Sequence, residues 1–199
     1  MSIVDKAIAA ITPPESAEAR ARAREKARSC AEPGDWLSMI LGHHLMIENA
    51  FTAVKAADDP VERRAAQKHL ALVLTGHAQA EEAAIYPVLA QAGEKGHAAM
   101  GYTEQAAVKM QMAELDNIDP MSQSYLDKLE HIEGAVKHHV FEEEGTWYPE
   151  MKAEASMEAQ RRATERYREE TERYLGGGRH AAQEPRSFAS DGPGMNATV

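Results

Sequence analysis

Apolar positions recur along the middle of the chain at spacings of three and four, the period of a helix that buries one face. Leu37, Ile40, Leu41, Ile47, Phe51 and Val54 mark the first stripe, over residues 35–57, with Asp35 as its N-cap. Asp59-Pro60 restarts the chain, the aspartate as cap and the proline at the first helical position. Leu70, Val73, Leu74, Ala84 and Ile85 then share a face as far as Pro87, which should end or kink the helix. Gly93 and Gly96 read as a turn, and a third helix over about 97–116 carries Val108, Met112 and Leu115 in phase. Asn117 to Pro120 breaks it, and Ser122 or Ser124 caps a fourth helix bearing Tyr125, Leu129, Ile132 and Val136. Amphipathic helices joined by short loops predict an all-α, antiparallel up-down four-helix bundle over residues 35–155.

The flanks follow other patterns. Residues 1–34 read as a helical extension whose stretch 15–30 has little beyond alanine for an apolar face. That predicts a solvated helix leaning on the bundle; the alternative is an arm for a protein partner or for self-association. Residues 156–175 predict a charged helix, and 176–199, rich in Gly and Pro, a disordered tail in which His180 is incidental.

Composition narrows the chemistry. The net charge of −10 and the lack of a strong basic cluster disfavour nucleic acid, because neutralising phosphates takes Lys and Arg. A single cysteine, Cys30, excludes a disulfide framework, a Cys-rich zinc site and an iron–sulfur cluster, whereas nine histidines remain. Apolar runs such as Ala7 to Ile11 fall far short of the ~20 residues of a membrane span, and no secretory pattern opens the sequence, so a cytoplasmic setting is expected.

An internal repeat carries most of the remaining information. His77-x3-Glu81-Glu82-x3-Tyr86-Pro87 recurs 62 residues later as His139-x3-Glu143-Glu144-x3-Tyr148-Pro149. On a helix, His and Glu four apart lie ~6 Å from each other on one face and can grip one ion. Both pairs continue the apolar stripes of their helices, so both point inward. A buried carboxylate costs several kcal/mol unless it is paired or bound to a metal, and two such pairs in one core call for a cation. The neighbouring Glu82 and Glu144 sit ~100° around the helix, in an outer layer or at the surface. In the first helix His44 is in phase with Ile40, Ile47 and Phe51, while His43 flanks it. The equivalent phase in the third helix falls on Gln105. His97 lies two turns, ~12 Å, up the axis and is too far away to stand in for it.

These residues resemble the hemerythrin-like proteins of the HHE cation-binding branch. The likeness rests on Gly42-His43-His44, both copies of the repeat, and Lys137-His138-His139 before Glu142-Glu143-Glu144-Gly145. It implies a four-helix bundle with a non-haem di-iron centre, in which His44, His77 and His139 are terminal imidazole ligands and Glu81 and Glu143 bridging carboxylates. The family's third-helix histidine falls on Gln105, after Glu104, which leaves one iron short of a nitrogen ligand. Three groups are candidates to compensate. Glu48 repeats the His-x3-Glu spacing after His44, or else is a helix-edge residue paired with a cation. Tyr102 offers a phenol, or else belongs to the core. Gln105 itself offers an amide oxygen.

The resemblance implies binding of oxygen, peroxide or a similar small ligand, in sensing or stress handling. Two alternatives stand beside it: a di-iron oxidase or peroxide-decomposing, catalase-like enzyme, and a partner-binding protein with a structural metal.

Overall fold

The computed structural model describes residues 15–176. The expectations for residues 1–14 and for the tail beyond Gly176, His180 included, lie outside the described residues. Everything described is helix and connection: α1 Ala17–Cys30, α2 Trp36–Ala56, α3 Pro60–Ala84, α4 Tyr86–Gln91, α5 Lys95–Leu115, α6 Gln123–Glu142, a π turn Glu143–Trp147, α7 Tyr148–Glu154 and α8 Met157–Leu175.

The caps are those the sequence marks. Asp35 accepts from Ser38 N at 2.7 Å, Asp59 accepts from Val61 N and Glu62 N at 2.8 and 3.0 Å, and Ser122 caps α6. One expectation holds and one changes. The second long helix is interrupted just before Pro87: it ends at Ala84, breaks at Ile85 and resumes as α4. The third begins at Lys95, so Gly96 lies in its first turn and only Gly93, at φ 110°, makes the reversal. A β-carbon disfavours that left-handed backbone, and glycine does not.

Two apolar clusters form on either side of a polar layer. One gathers Phe51, Leu70, Leu129 and Ile132; the other gathers Trp36, Ile85, Trp147 and Tyr167. Along α2 and α3 the in-phase polar residue falls between members of the two clusters: His44 between Ile40 and Ile47, and His77 between Leu74 and Ala80. The apolar clusters thus wall off a layer that water cannot reach freely.

The flanking helices pack on this body. The stretch 15–30 buries Ala23 and Ala27 against the π turn, so its alanines are its contact face. The charged stretch 156–175 lies along α3 and buries Ala159, Ala163, Tyr167 and Glu170. Close approach there depends on Gly76 of α3, where a β-carbon would meet Leu175 Cδ2 at 2.6 Å. No described helix is long and apolar enough to cross a membrane.

Candidate metal centre

His77 and Glu81 sit in the last two turns of α3, and His139 in the last turn of α6, four residues before Glu143. Both copies of the repeat lose regular α geometry just after the inward glutamate, at Ile85 in one and through the π turn in the other. Proline has no N–H to give the carbonyl four residues back. In the second copy Lys26 Nζ donates to the Gly145 carbonyl at 2.6 Å, serving a group that Pro149 cannot. Such irregular turns are frequent at functional sites. Here they carry Tyr86 and Tyr148 back over the carboxylates.

Four residues converge. Ligand atoms of His44, His77, Glu81 and Glu143, all buried, lie within 4.8 Å of one another. His44 Nε2 is 3.4 Å from Glu143 Oε2, and His77 Nε2 is 3.2 Å from Glu81 Oε2. Neither nitrogen finds a hydrogen-bonding partner, nor does Glu143 Oε2. Unpartnered buried polar atoms are uncommon because each forfeits its hydration for nothing. Three of them in one cluster of imidazole and carboxylate fit a divalent cation, which would satisfy all three at once.

His139 lies on the other side of the carboxylates, with Nε2 3.2 Å from Glu143 Oε1 and 3.3 Å from the Tyr86 hydroxyl. Gln105 joins it there: Nε2 donates to Glu81 Oε2 at 2.6 Å and to Tyr86 Oη at 2.8 Å, while Oε1 has no partner. Tyr148 Oη lies 2.6 Å from Glu143 Oε1 and also bonds Glu81 Oε1. The Tyr86 ring is seated against Gly101 of α5, where a β-carbon would fall 2.6 Å from Cζ.

Each inward histidine is held by its outer nitrogen. His44 Nδ1 meets Glu144 Oε1 at 2.8 Å, His139 Nδ1 meets Glu104 Oε2 at 2.7 Å, and His77 Nδ1 meets Tyr167 Oη at 3.3 Å. Holding Nδ1 orients the ring and leaves Nε2 for the interior, the arrangement that supports metal-binding imidazoles. Arg24 of α1 extends this layer, bonding Glu144 at 3.1 Å and Glu48 at 2.7 Å. Tyr167 Oη also bonds His43 Nδ1 at 2.7 Å.

Of the compensating groups, only Gln105 reaches the centre. Glu48 is drawn to Arg24 with its side chain 42% exposed. Tyr102 is 41% exposed, and its hydroxyl donates to the Glu82 carbonyl at 3.0 Å, outside the cluster. Glu82 pairs with Lys109 at 2.6 Å, unlike its repeat mate Glu144. His97 stacks on Trp147, and His138 pairs with Glu15. Tyr86, Tyr148, Arg24 and Tyr167 join the centre without having been expected there. The repeated Tyr-Pro was a legible signal for the first two. Ala159, Ala163 and Tyr167, spaced by four, were a signal for the last. Arg24 has none, being one of several arginines in its stretch.

Protons reveal the same demand for positive charge. Burial and the neighbouring Glu143 push the Glu81 carboxyl up to about 8. Burial opposes a charge on His44, yet the adjacent carboxylates of Glu143 and Glu144 raise it to about 9. Glu143, despite burial, is held well below the carboxylate range by His139 and His44. Burial and His44 keep His77 neutral. His44 and Glu81 have folded-state values above their ordinary 6.5 and 4.5, so the stability they contribute is lost as pH rises toward about 9 and about 8. His43, lowered to about 4, and His77 act in the opposite sense only below 6.5. With a chelator present, unfolding stability should therefore fall by on the order of a few kcal/mol between about pH 6.5 and 8. Cation affinity should rise across the same window, because binding expels those protons. Denaturant titrations and calorimetric cation titrations at several pH values check both slopes; a flat profile in both would remove this account.

A cavity of about 370 Å³ opens beside the centre between α3, α5 and α6, reaching His77, Gln105 and His139.

The model of the hemerythrin HHE cation-binding domain matches residues 36–151. A protein named DNA nickase from Nostoc sp. (strain PCC 7120) is 26% identical over 115 residues, which are 58% of this chain and 33% of that one. The chain thus spans about a third of the length of that relative. No solved structure matches the chain. A domain match over more than half the chain, together with a buried cluster of imidazoles and carboxylates in an all-α body, places the chain among the metal-binding proteins of the hemerythrin HHE family.

Proposed function

We propose that this protein holds non-haem iron and binds dioxygen, peroxide or a similar small ligand there. The observation that carries the reading is the trio of unpartnered buried atoms, His44 Nε2, His77 Nε2 and Glu143 Oε2, in one cluster. In this reading His44, His77, Glu81 and Glu143 hold one ion, and Glu81, Glu143 and His139 offer a second, weaker place. Mixed imidazole and carboxylate suits iron, and iron so bound supplies redox chemistry toward oxygen species. The chain's own residues exclude bulk water, fix the imidazoles through Glu144, Glu104 and Tyr167, and hold two phenols against the carboxylates.

The second place is weak because Gln105 uses its amide N–H toward Glu81 where an imidazole lone pair would serve a metal. Anaerobic reconstitution with ferrous iron, then metal analysis and absorption spectra in air, tests the reading. About one iron per chain is expected, rising toward two in Gln105→His. Reversible oxygen-dependent absorption supports a carrier or sensor. Unchanged iron content in a His77→Ala, His139→Ala double variant would overturn the site. The cavity favours a second reading, a di-iron oxidase or peroxide-decomposing enzyme, for which irreversible oxidation and rapid peroxide consumption are the signatures. Nicking of DNA is not carried over from the relative: the match covers 33% of that protein, and a chain of charge −10 suits phosphate poorly.

A further inference from the structure

The cavity beside the centre is larger than a diatomic ligand requires. At about 370 Å³ it falls within the ~300–1,000 Å³ of sites for small organic molecules. An apolar cavity of ~150 Å³ suffices for benzene. Its walls are mainly apolar, with Ile47, Leu74, Val108, Met112, Val136 and Val140 contributing. Protein interiors pack densely, and a void of this size forfeits dispersion contacts along its whole lining. Something that restores them should bind.

The inner end has a different character. Gln105 belongs both to the cavity wall and to the centre; its Nε2 is committed to Glu81 and Tyr86, and its Oε1, buried, has no partner. An amide oxygen accepts and cannot donate, so the partner an organic ligand would bring to it is an O–H or N–H. Glu104 lies on the same wall, and Glu81 and Glu143 stand behind Gln105. The one charged imidazole there, His139, is already held between Glu104 at 2.7 Å and Glu143 at 3.2 Å, so an anionic headgroup finds carboxylates and no uncommitted cationic side chain at this end. Of the other charged residues lining the cavity, Lys109 is paired with Glu82 at 2.6 Å, Asp116 accepts from Gln67 at 2.8 Å, and Lys68 is exposed to solvent.

We propose that this cavity binds an uncharged, mainly apolar organic alcohol, with its hydroxyl at Gln105 and its hydrocarbon body along the walls of α3, α5 and α6. The inference goes beyond the iron reading by naming an organic ligand. It rests on that reading only in placing the hydroxyl end beside a bound cation.

The test is titration of the full chain with 1-octanol, followed by isothermal calorimetry and by chemical-shift changes of the valine and methionine methyls. Saturable binding of one octanol per chain is expected. Octanoate, which carries a charge, and 1-methoxyheptane, which lacks the donor, should each bind at least tenfold more weakly. Val108→Trp should fill the cavity and abolish octanol binding while leaving manganous-ion binding unchanged. If Val108→Trp fails to fold, Ala71→Leu on the facing wall serves in its place. No saturable octanol binding, equal affinity for octanoate or for the ether, or undiminished octanol binding in a folded cavity-filled variant would each overturn the proposal. Octanol binding by a protein that takes up no manganous ion would leave the proposal standing and remove the cation reading instead.

Discussion

Glu143→Ala is expected to abolish cation binding and, with a chelator present, to lower unfolding stability by about 3–5 kcal/mol. Glu143 is fully buried at the start of the π turn. Its oxygens meet His44 Nε2 at 3.4 Å, His139 Nε2 at 3.2 Å, Tyr86 Oη at 3.1 Å and Tyr148 Oη at 2.6 Å. Removing it leaves two buried imidazoles, both held in the charged form by their surroundings, with Glu144 and Glu104 on their outer nitrogens but without the anion shared by their inner ones. An uncompensated buried charge is the costly case, because the attraction is lost and the hydration is not regained. Glu143→Gln separates the effects. Its amide keeps the volume and still accepts from Tyr148, so it should retain more stability than the alanine variant while losing the cation as fully. Urea unfolding with chelator and calorimetric cation titration read the two quantities. An alanine variant that unfolds like the parent would mean that the imidazoles are neutral and Glu143 is not their counter-charge.

Tyr167→Ala is expected to cost about 3–5 kcal/mol, the range for truncating a large aromatic in a core. Tyr167 is fully buried although it sits in a helix whose remaining surface is mostly Arg and Glu. Its ring lies with Trp36, Ile85 and Trp147 in one apolar cluster, and its hydroxyl reaches His43 Nδ1 at 2.7 Å and His77 Nδ1 at 3.3 Å. Tyr167→Phe keeps the ring and should cost only ~1 kcal/mol. It should nevertheless weaken cation binding by on the order of tenfold, since losing an outer partner frees the imidazole to turn. A phenylalanine variant with parental affinity would show that α8 serves packing alone. The match to the HHE domain ends at Met151, so α8 lies outside it, as does α1 with Arg24. Both flanking helices therefore reach the outer layer of the centre from beyond the family's own boundaries.

What could be read in the one-dimensional pattern was what depends on local geometry. The spacing of Leu70, Val73 and Leu74 sets which face of α3 is buried, and His77 and Glu81 share that face because the helix repeats every 3.6 residues. The same reasoning places His139 and Glu143 inward and finds Gln105 where symmetry would have an imidazole. Caps at Asp35, Asp59 and Ser122 were equally legible, because a cap contacts its own first turn.

What the chain could not declare alone depended on partners distant in sequence. Spacing makes Glu48 the candidate for the centre and sets Glu144 ~100° off the inward face; yet Arg24 holds Glu48 toward the surface, while Glu144 turns to His44. Glu82 and Glu144 are mates in the repeat, yet Lys109 draws one outward and the π turn buries the other. Tyr167 reads as one aromatic in a charged helix until α3 lies beside it, with Gly76 allowing the close approach. Periodicity therefore determined which side chains face inward. Only tertiary packing decided which of them meet, because a contact across a hundred residues is set by how helices dock and not by any spacing along one of them.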